Sequence, residues 1–178
     1  MPDEPLPSAP SDAALVEAAR AGDRDAFGSL YRRYARFVQA VLYARVPPDL
    51  VADLVHDVFL AAMRQLHSLR DERAFAPWIA TIARRRAADW RRRRRDTEEL
   101  RDDHPEMTHG DDEAHEAVAA IAALPEAYRE TLMLRFVAGL SGPQIAERTG
   151  LTHGSVRVNL HRGVALLRQH LRGSDSNA

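Results

Sequence analysis

A dense run of arginine is the feature of this sequence with the clearest chemical meaning. Eight of the twelve residues from Arg84 to Arg95 are arginine. Guanidinium groups bind phosphate through paired N–H donors, and a run of cations this dense repels itself unless a polyanion lies nearby. A solvated helix end is the alternative, because cations also favour a helix C-terminus. We favour nucleic-acid binding, with no sequence preference from this segment.

A second basic segment predicts a reader of duplex DNA. Residues 144–171 have the pattern of two short helices joined by a tight turn, the outline of a helix-turn-helix. In the second helix, one stripe is apolar: Val156, Leu160, Val164, Leu167 and Leu171. The residues on or near the opposite side are Ser155, Val158, His161 and Arg162. A helix that buries one stripe and presents such side chains on the other suits a major groove.

A third group of residues is acidic. Asp53, His56 and Asp57 share one side of a predicted helix at spacings i, i+3 and i+4. This side could be a solvated face, a metal site, or a docking surface for another protein with an exposed Leu60 as its apolar centre. We expect no metal site, because no further ligands are spaced to complete one.

Composition excludes several classes of protein. The chain has no cysteine, which rules out disulfides, cysteine-ligated zinc and thiol catalysis. It shows no phosphate-binding loop and no nucleophile paired with a base, so we expect neither enzymatic activity nor a cofactor. No apolar run is long enough to span a bilayer and no signal peptide is visible. We therefore expect a cytoplasmic chain that does not insert into a membrane.

The helical periodicities predict an all-α protein with two small domains. No stretch alternates with a period of two, so no strand is expected. In the first half, helices are predicted at residues 12–21, 24–45, 49–67 and 75–95. In the second half they are predicted at residues 112–124 and 125–138, followed by the helix-turn-helix. The predicted boundaries are a disordered lead at 1–11, an N-terminal domain at 12–96, a flexible acidic linker at 97–113 and a C-terminal domain at 114–173.

The charges are strongly segregated along the chain. The net charge of −1 for the whole protein combines −4 in residues 1–23, +9 in residues 24–95, −9 in residues 96–116 and +3 in residues 117–178. Two basic blocks therefore flank an acidic strip, and a basic block is the electrostatic signature of nucleic-acid binding.

The order of these segments resembles the bacterial sigma factors of the extracytoplasmic-function (ECF) group. The resemblance covers about residues 12–172. It is carried by four segments, each weak alone but specific in this order and spacing. They are DAFGSLYRRY (25–34), DLVHDVF (53–59), FAPWIATIARRRAADWRRRRR (75–95), and LPEAYRETLMLRF (124–136) with the helix-turn-helix.

The resemblance implies a fold, partners and site residues. The N-terminal domain would be similar to sigma region 2 and the C-terminal domain to sigma region 4. The expected partners are core RNA polymerase, promoter DNA and an anti-sigma factor. The residues matched to polymerase binding are Asp53, His56, Asp57, Phe59 and Leu60, although Phe59 falls on the buried side of the helix. The loop at residues 67–74 matches the segment that captures an unstacked base of the minus-ten element.

DNA contacts follow from the same resemblance. The residues matched to the minus-ten element are Arg70, Arg73, Thr81, Arg84, Arg85, Ala88 and Arg91. Those matched to the minus-thirty-five element are Ser155, Arg157, Val158, Asn159, His161 and Arg162. Asn159 lies nearer the buried side of its helix. The sequence departs from the family where Arg85 replaces a usual asparagine. It also places Gly163 within the second reader helix, where glycine is expected to cost about 1 kcal/mol relative to alanine.

Two other functions remain open from the sequence. A stand-alone helix-turn-helix regulator would bind duplex DNA without polymerase, but it leaves the arginine-rich helix and the docking helix unexplained. A metal-dependent nuclease would use Asp53 and Asp57, but no convergent cluster of acids supports it.

Overall fold

A computed structural model describes residues 9–98 and 113–175 of the chain. Within these ranges the regular structure is helical and contains no strand, which confirms the all-α prediction. The helices of the N-terminal domain are α1 (Asp12–Arg20), α2 (Arg24–Tyr43), α3 (Val51–Gln65) and α4 (Phe75–Glu98). Those of the C-terminal domain are α5 (Glu113–Ala122), α6 (Glu126–Phe136), α7 (Gly142–Thr149) and α8 (His153–Asp175). Over the described parts of the chain, no helix combines the length and hydrophobicity needed to cross a membrane.

The N-terminal domain packs around α2. The side chains of Leu30, Phe37 and Val41 are fully or almost fully buried, and α1, α3 and α4 surround them. Side-chain caps start the first two helices: Ser11 accepts a hydrogen bond from the backbone N–H of Ala14, and Asp23 does the same at the start of α2. Such caps satisfy the free N–H groups of a first turn and are worth about 1 kcal/mol each.

Several predicted boundaries differ from the structure. The third helix, predicted at residues 49–67, is shorter in the structure, because short 3-10 turns at residues 48–50 and 66–68 take the place of its two ends. Helix α4 continues through Glu98, past the predicted boundary at 96. Residues 1–8 of the predicted lead and 99–112 of the predicted linker lie outside the described residues.

The helix-turn-helix has clear local causes. Ser141 caps α7 and exchanges hydrogen bonds with Gln144 in a capping box, while Pro143 occupies the first turn, where its missing N–H is not needed. Gly150 ends α7 with φ +77°, a left-handed conformation that glycine adopts without steric cost. The turn therefore fixes the direction in which α8 leaves.

Close packing of α8 on α6 gives Gly163 a role that the sequence did not reveal. A Cβ atom at this position would lie 2.9 Å from Leu132 Cδ1 and 3.2 Å from Tyr128 Cβ. Leu132 is fully buried and cannot turn away freely. Close packing at position 163 therefore opposes the gain in helix propensity that alanine would bring.

The two domains contact each other through charged and aromatic side chains. Glu130 of α6 forms ion pairs with Arg45, just after α2, and with Arg84 of α4. The Arg148 guanidinium of α7 lies 5.4 Å from the ring centroid of Tyr34 and 5.9 Å from that of Phe37. A cation over an aromatic face is attracted by the ring quadrupole. Ion pairs and cation–π contacts thus tie α6 and α7 to the N-terminal domain.

Candidate nucleic-acid interface

The arginine-rich face lies on α4, whose opposite face is buried. Phe75, Ile79 and Ala83 point into the core of the N-terminal domain. On the other side Thr81, Arg85 and Ala88 are exposed, and Arg84 and Arg91 are half-buried. The Thr81 hydroxyl donates a hydrogen bond to the Pro77 carbonyl oxygen at 2.9 Å. Small residues beside guanidinium groups leave room for a phosphate backbone to approach the helix.

Arg84 already has a partner within the chain. Its Nη2 donates to one carboxylate oxygen of Glu130 at 2.6 Å and its Nε to the other at 3.3 Å, a bidentate arrangement. Arg45 donates to the same carboxylate. One of the residues predicted to meet the minus-ten element is therefore held by the C-terminal domain.

The electrostatics of Glu130 reflect these two arginines. Burial alone would raise the pKa of Glu130, but the Arg84 hydrogen bond and the charges of Arg45 and Arg84 outweigh it and hold that pKa below its usual range. The carboxylate is therefore charged at neutral pH. Its side chain is only 16% exposed, so solvent weakens the attraction little.

The segment between α3 and α4 carries the predicted base-capturing loop. Leu66 and Leu69 anchor it in the core, while Arg70 and Arg73 are exposed. The Asp71 carboxylate accepts a hydrogen bond from the backbone N–H of Arg73 at 3.0 Å and so starts the 3-10 turn Glu72–Ala74. The loop is thus a folded element that presents two cations outward.

Arg20, the last residue of α1, binds this loop at three points. Its Nε donates to the Leu66 carbonyl oxygen at 3.2 Å, its Nη2 donates to the Leu69 carbonyl oxygen, and its Nη1 donates to the Glu72 carboxylate. Hydrogen bonds from the backbone N–H of Glu72 and from Arg20 lower the pKa of Glu72. Arg20 was not a predicted site residue, since nothing in the sequence connects it to residues 66–72.

The groove-facing side of α8 is open. Arg157, Val158, His161 and Arg162 are exposed, with Val158 42% exposed despite being apolar. Ser155 is exposed too, and its backbone N–H and hydroxyl both bond to the Thr152 hydroxyl, which fixes the start of the helix.

Asn159 lies at the edge of the domain interior. Its amide nitrogen is 3.4 Å from the Thr131 hydroxyl of α6, and the side chain is half-buried. This is the side to which the helical periodicity assigned it.

The acidic side of α3 is also a surface. Asp53, His56 and Asp57 are exposed, and in the described parts of the chain no group of three or more His, Asp or Glu side chains comes together to bind a metal ion. Leu60, expected to be exposed, is half-buried; the exposed apolar residue of this helix is Met63, 52% exposed.

Phe59 is only 3% exposed and lies on the buried side of α3, where the helical periodicity placed it. Its ring packs against Tyr31, with centroids 4.5 Å apart, and against Phe27 at 6.4 Å. Tyr31 is 39% exposed and covers Phe59. The surface beside α3 therefore includes an aromatic ring from α2 that the sequence analysis missed.

Comparison with known proteins links both domains to one family. Residues 30–97 match the family described as Sigma-70 region 2, and residues 114–167 match Sigma-70, region 4. The ECF RNA polymerase sigma factor BldN of Streptomyces coelicolor is 34% identical, with 90% of this chain and 67% of that protein covered. RNA polymerase sigma factor CarQ of Myxococcus xanthus is 32% identical, with 88% and 95% covered.

A solved structure has a similar fold. In the complex of CnrH with the cytosolic domain of CnrY, the matched chain is 27% identical and superposes with a TM-score of 0.66. The match covers 91% of this chain and 97% of that one.

Proposed function

This chain belongs to the ECF group of bacterial RNA polymerase sigma factors, and we propose that its two domains divide one promoter between them. As a sigma factor, the protein directs RNA polymerase to promoters and is not itself catalytic. The observation that carries the proposed division is the presence of two separate arginine-bearing faces, one on α4 and one on α8. A regulator that only binds an operator needs one such face.

The N-terminal domain takes the minus-ten element. Holding a base outside the stack costs a few kcal/mol, so an opened strand needs an adjacent cationic surface. The exposed arginines of the loop and the outward face of α4 supply one. The residues assigned to this element are Arg70, Arg73, Thr81, Arg84, Arg85, Ala88 and Arg91.

The C-terminal domain takes the minus-thirty-five element in duplex form. Arginine and histidine can donate to base edges or phosphates, and an exposed valine can contact a thymine methyl group. The residues assigned to direct contact are Ser155, Arg157, Val158, His161 and Arg162. Asn159 is assigned a supporting place through its bond to Thr131.

The acidic side of α3 takes core RNA polymerase. Asp53, His56 and Asp57 are exposed side by side, and Leu60 with Met63 adds apolar area next to them. A polar rim around an apolar patch is the usual composition of a protein interface. Phe59 acts here through Tyr31, whose position it supports.

A regulatory protein partner is also proposed. CnrH was solved with the cytosolic domain of CnrY bound, and by analogy this chain is held by an anti-sigma factor. The proposed location is the cytoplasm, where polymerase and chromosome are found.

Run-off transcription tests the proposal. Core RNA polymerase with the purified chain should start transcripts at discrete sites on genomic fragments, and polymerase alone should not. The chain alone should show no site-specific footprint on those fragments. A specific footprint without polymerase, together with no transcript in its presence, would favour the stand-alone regulator.

A further inference from the structure

We propose that Arg20 is a positioning residue for promoter opening, and this inference rests on the proposed role of the 67–74 loop at the minus-ten element. Arg20 sits at the end of α1, outside the segments assigned to DNA. Its guanidinium bonds to the loop at Leu66, Leu69 and Glu72. A single side chain thus spans most of the segment that must present Arg70 and Arg73.

The bonding pattern sets the shape of the loop backbone. Two of the three acceptors are main-chain carbonyl oxygens, Leu66 O and Leu69 O, which lie at the two ends of one turn. The backbone N–H of Leu69 also donates to Leu66 O at 3.3 Å, so the Arg20 bonds reinforce an existing turn. Glu72, at the start of the next turn, is the third anchor. A planar guanidinium can reach all three acceptors because its donors form a rigid fork.

The anchor points flank the exposed cations. Arg70 follows Leu69 directly, and Arg73 follows Glu72 directly. Each exposed arginine is therefore adjacent in sequence to a residue that Arg20 holds, Leu69 by its carbonyl oxygen and Glu72 by its carboxylate. When the loop is fixed before DNA arrives, the conformational entropy of ordering it is not lost at the moment a base is captured.

Lysine cannot replace Arg20 in this role. An ammonium group is a compact charge without the flat, spaced donors of a guanidinium. In the Arg20→Lys protein the charge beside Glu72 remains, but the two carbonyl bonds cannot both be kept. In the Arg20→Gln protein the charge is lost as well. The two variants therefore separate loop geometry from simple charge.

The experiment compares these variants in complete holoenzyme. Thymine reactivity toward permanganate at the minus-ten element measures opening, and run-off transcription on a fully paired and on a pre-opened template measures its consequence. Arg20→Gln should lower opening on paired DNA at least about tenfold, the value of one hydrogen bond to a charged group. Arg20→Lys should fall between it and the natural protein. On the pre-opened template the deficit should shrink to about threefold or less.

Arg24→Gln is the matched control. It removes the same charge four residues away, and the side chain of Arg24 makes no hydrogen bond or ion pair within residues 9–98 and 113–175. Holoenzyme with Arg24→Gln should open the promoter as well as holoenzyme with the natural protein does. Helix content and affinity for core polymerase should be unchanged in all variants.

Three results would overturn the inference. They are full opening by Arg20→Gln, an equal deficit on both templates, and an equal deficit in Arg24→Gln. Where Arg20→Gln fails to fold, Glu72→Gln removes one anchor without touching the other two and should still lower opening selectively on paired DNA. Failure of the natural holoenzyme to open any promoter would instead refute the proposed function, so the two failures are distinguishable.

Discussion

The ion cluster at Glu130 predicts how firmly the two domains hold each other. Glu130→Gln keeps the size of the side chain and removes its charge, which leaves Arg45 and Arg84 without a carboxylate. Removing one member of a buried ion pair costs about 3–5 kcal/mol. One third of the Arg84 side chain is exposed and already partly solvated. We therefore expect the contact to weaken by about 2 kcal/mol, a shift of roughly 30-fold toward separated domains.

Energy transfer between dyes on the two domains measures this shift. The sequence has no cysteine, so Glu17→Cys and Gln169→Cys create two unique labelling sites on exposed positions of α1 and α8. Transfer should fall in Glu130→Gln and stay unchanged in Glu126→Gln, an exposed acid on the same helix. Because Arg84 is released, the free chain should also bind promoter DNA more tightly.

The pH dependence of energy transfer is an independent check of the same contact. The pKa of Glu130 in the folded protein is depressed. The carboxylate therefore stabilises the contact between the domains fully at pH values above its unfolded-state pKa of about 4.3, and this stabilisation is lost as the pH falls through its folded-state pKa. Transfer in the natural protein should therefore hold from pH 7 to about pH 5 and decline below about pH 4. Equal transfer in the natural protein and in Glu130→Gln across this range would refute the reasoning.

Three further predictions concern other sites. Arg162→Ala should weaken holoenzyme binding to a promoter by about 1–3 kcal/mol if the guanidinium reaches a base edge; an equal loss on unrelated DNA in a competition assay would assign it to a phosphate. Asp57→Arg should reduce affinity for core polymerase in a pull-down titration without changing the circular dichroism spectrum, and undiminished affinity would remove α3 from the docking surface. Gly163→Ala should lower stability by roughly 1 kcal/mol in thermal melts, since overpacking by about 1–3 kcal/mol exceeds a propensity gain of about 1 kcal/mol; a rise in melting temperature would contradict the close packing.

Helical periodicity predicted much of the fold because burial repeats along the chain. The buried face of α4 follows directly from spacing, and so does the apolar stripe of α8 from Val156 to Leu167. Leu171, predicted on the same stripe, is 46% exposed because it lies near the end of the helix, beyond the core. Helix ends were less predictable, since a 3-10 turn at residues 66–68 continues the same apolar pattern with a different hydrogen-bond ladder. Leu60 and Met63 show the same limit. They lie about one turn apart on α3, and the sequence pattern did not reveal that Met63 is the exposed one and Leu60 the half-buried one.

Contacts between distant residues could not be predicted from spacing at all. Glu130 is 85 residues from Arg45 and 46 from Arg84. Helical spacing does not indicate which residues that far apart in the sequence come into contact. Arg20 is equally remote from the loop that it binds. The sequence identified arginines that are exposed to solvent, but it did not identify those that bind other parts of the same chain, such as Arg20 and Arg84.

The missing side chain at Gly163 has a practical consequence for altering promoter preference. Without a side chain at position 163, α8 packs closer to α6, against Leu132 and Tyr128. This distance sets the position of the whole exposed face of α8 relative to the rest of the domain. Suppose that only the exposed residues of α8 are transferred to a related protein with a larger residue at the position of Gly163. The helix would then lie farther from α6, and its hydrogen-bond donors would be displaced from the DNA bases. To change promoter preference, α6 and α8 should therefore be exchanged together.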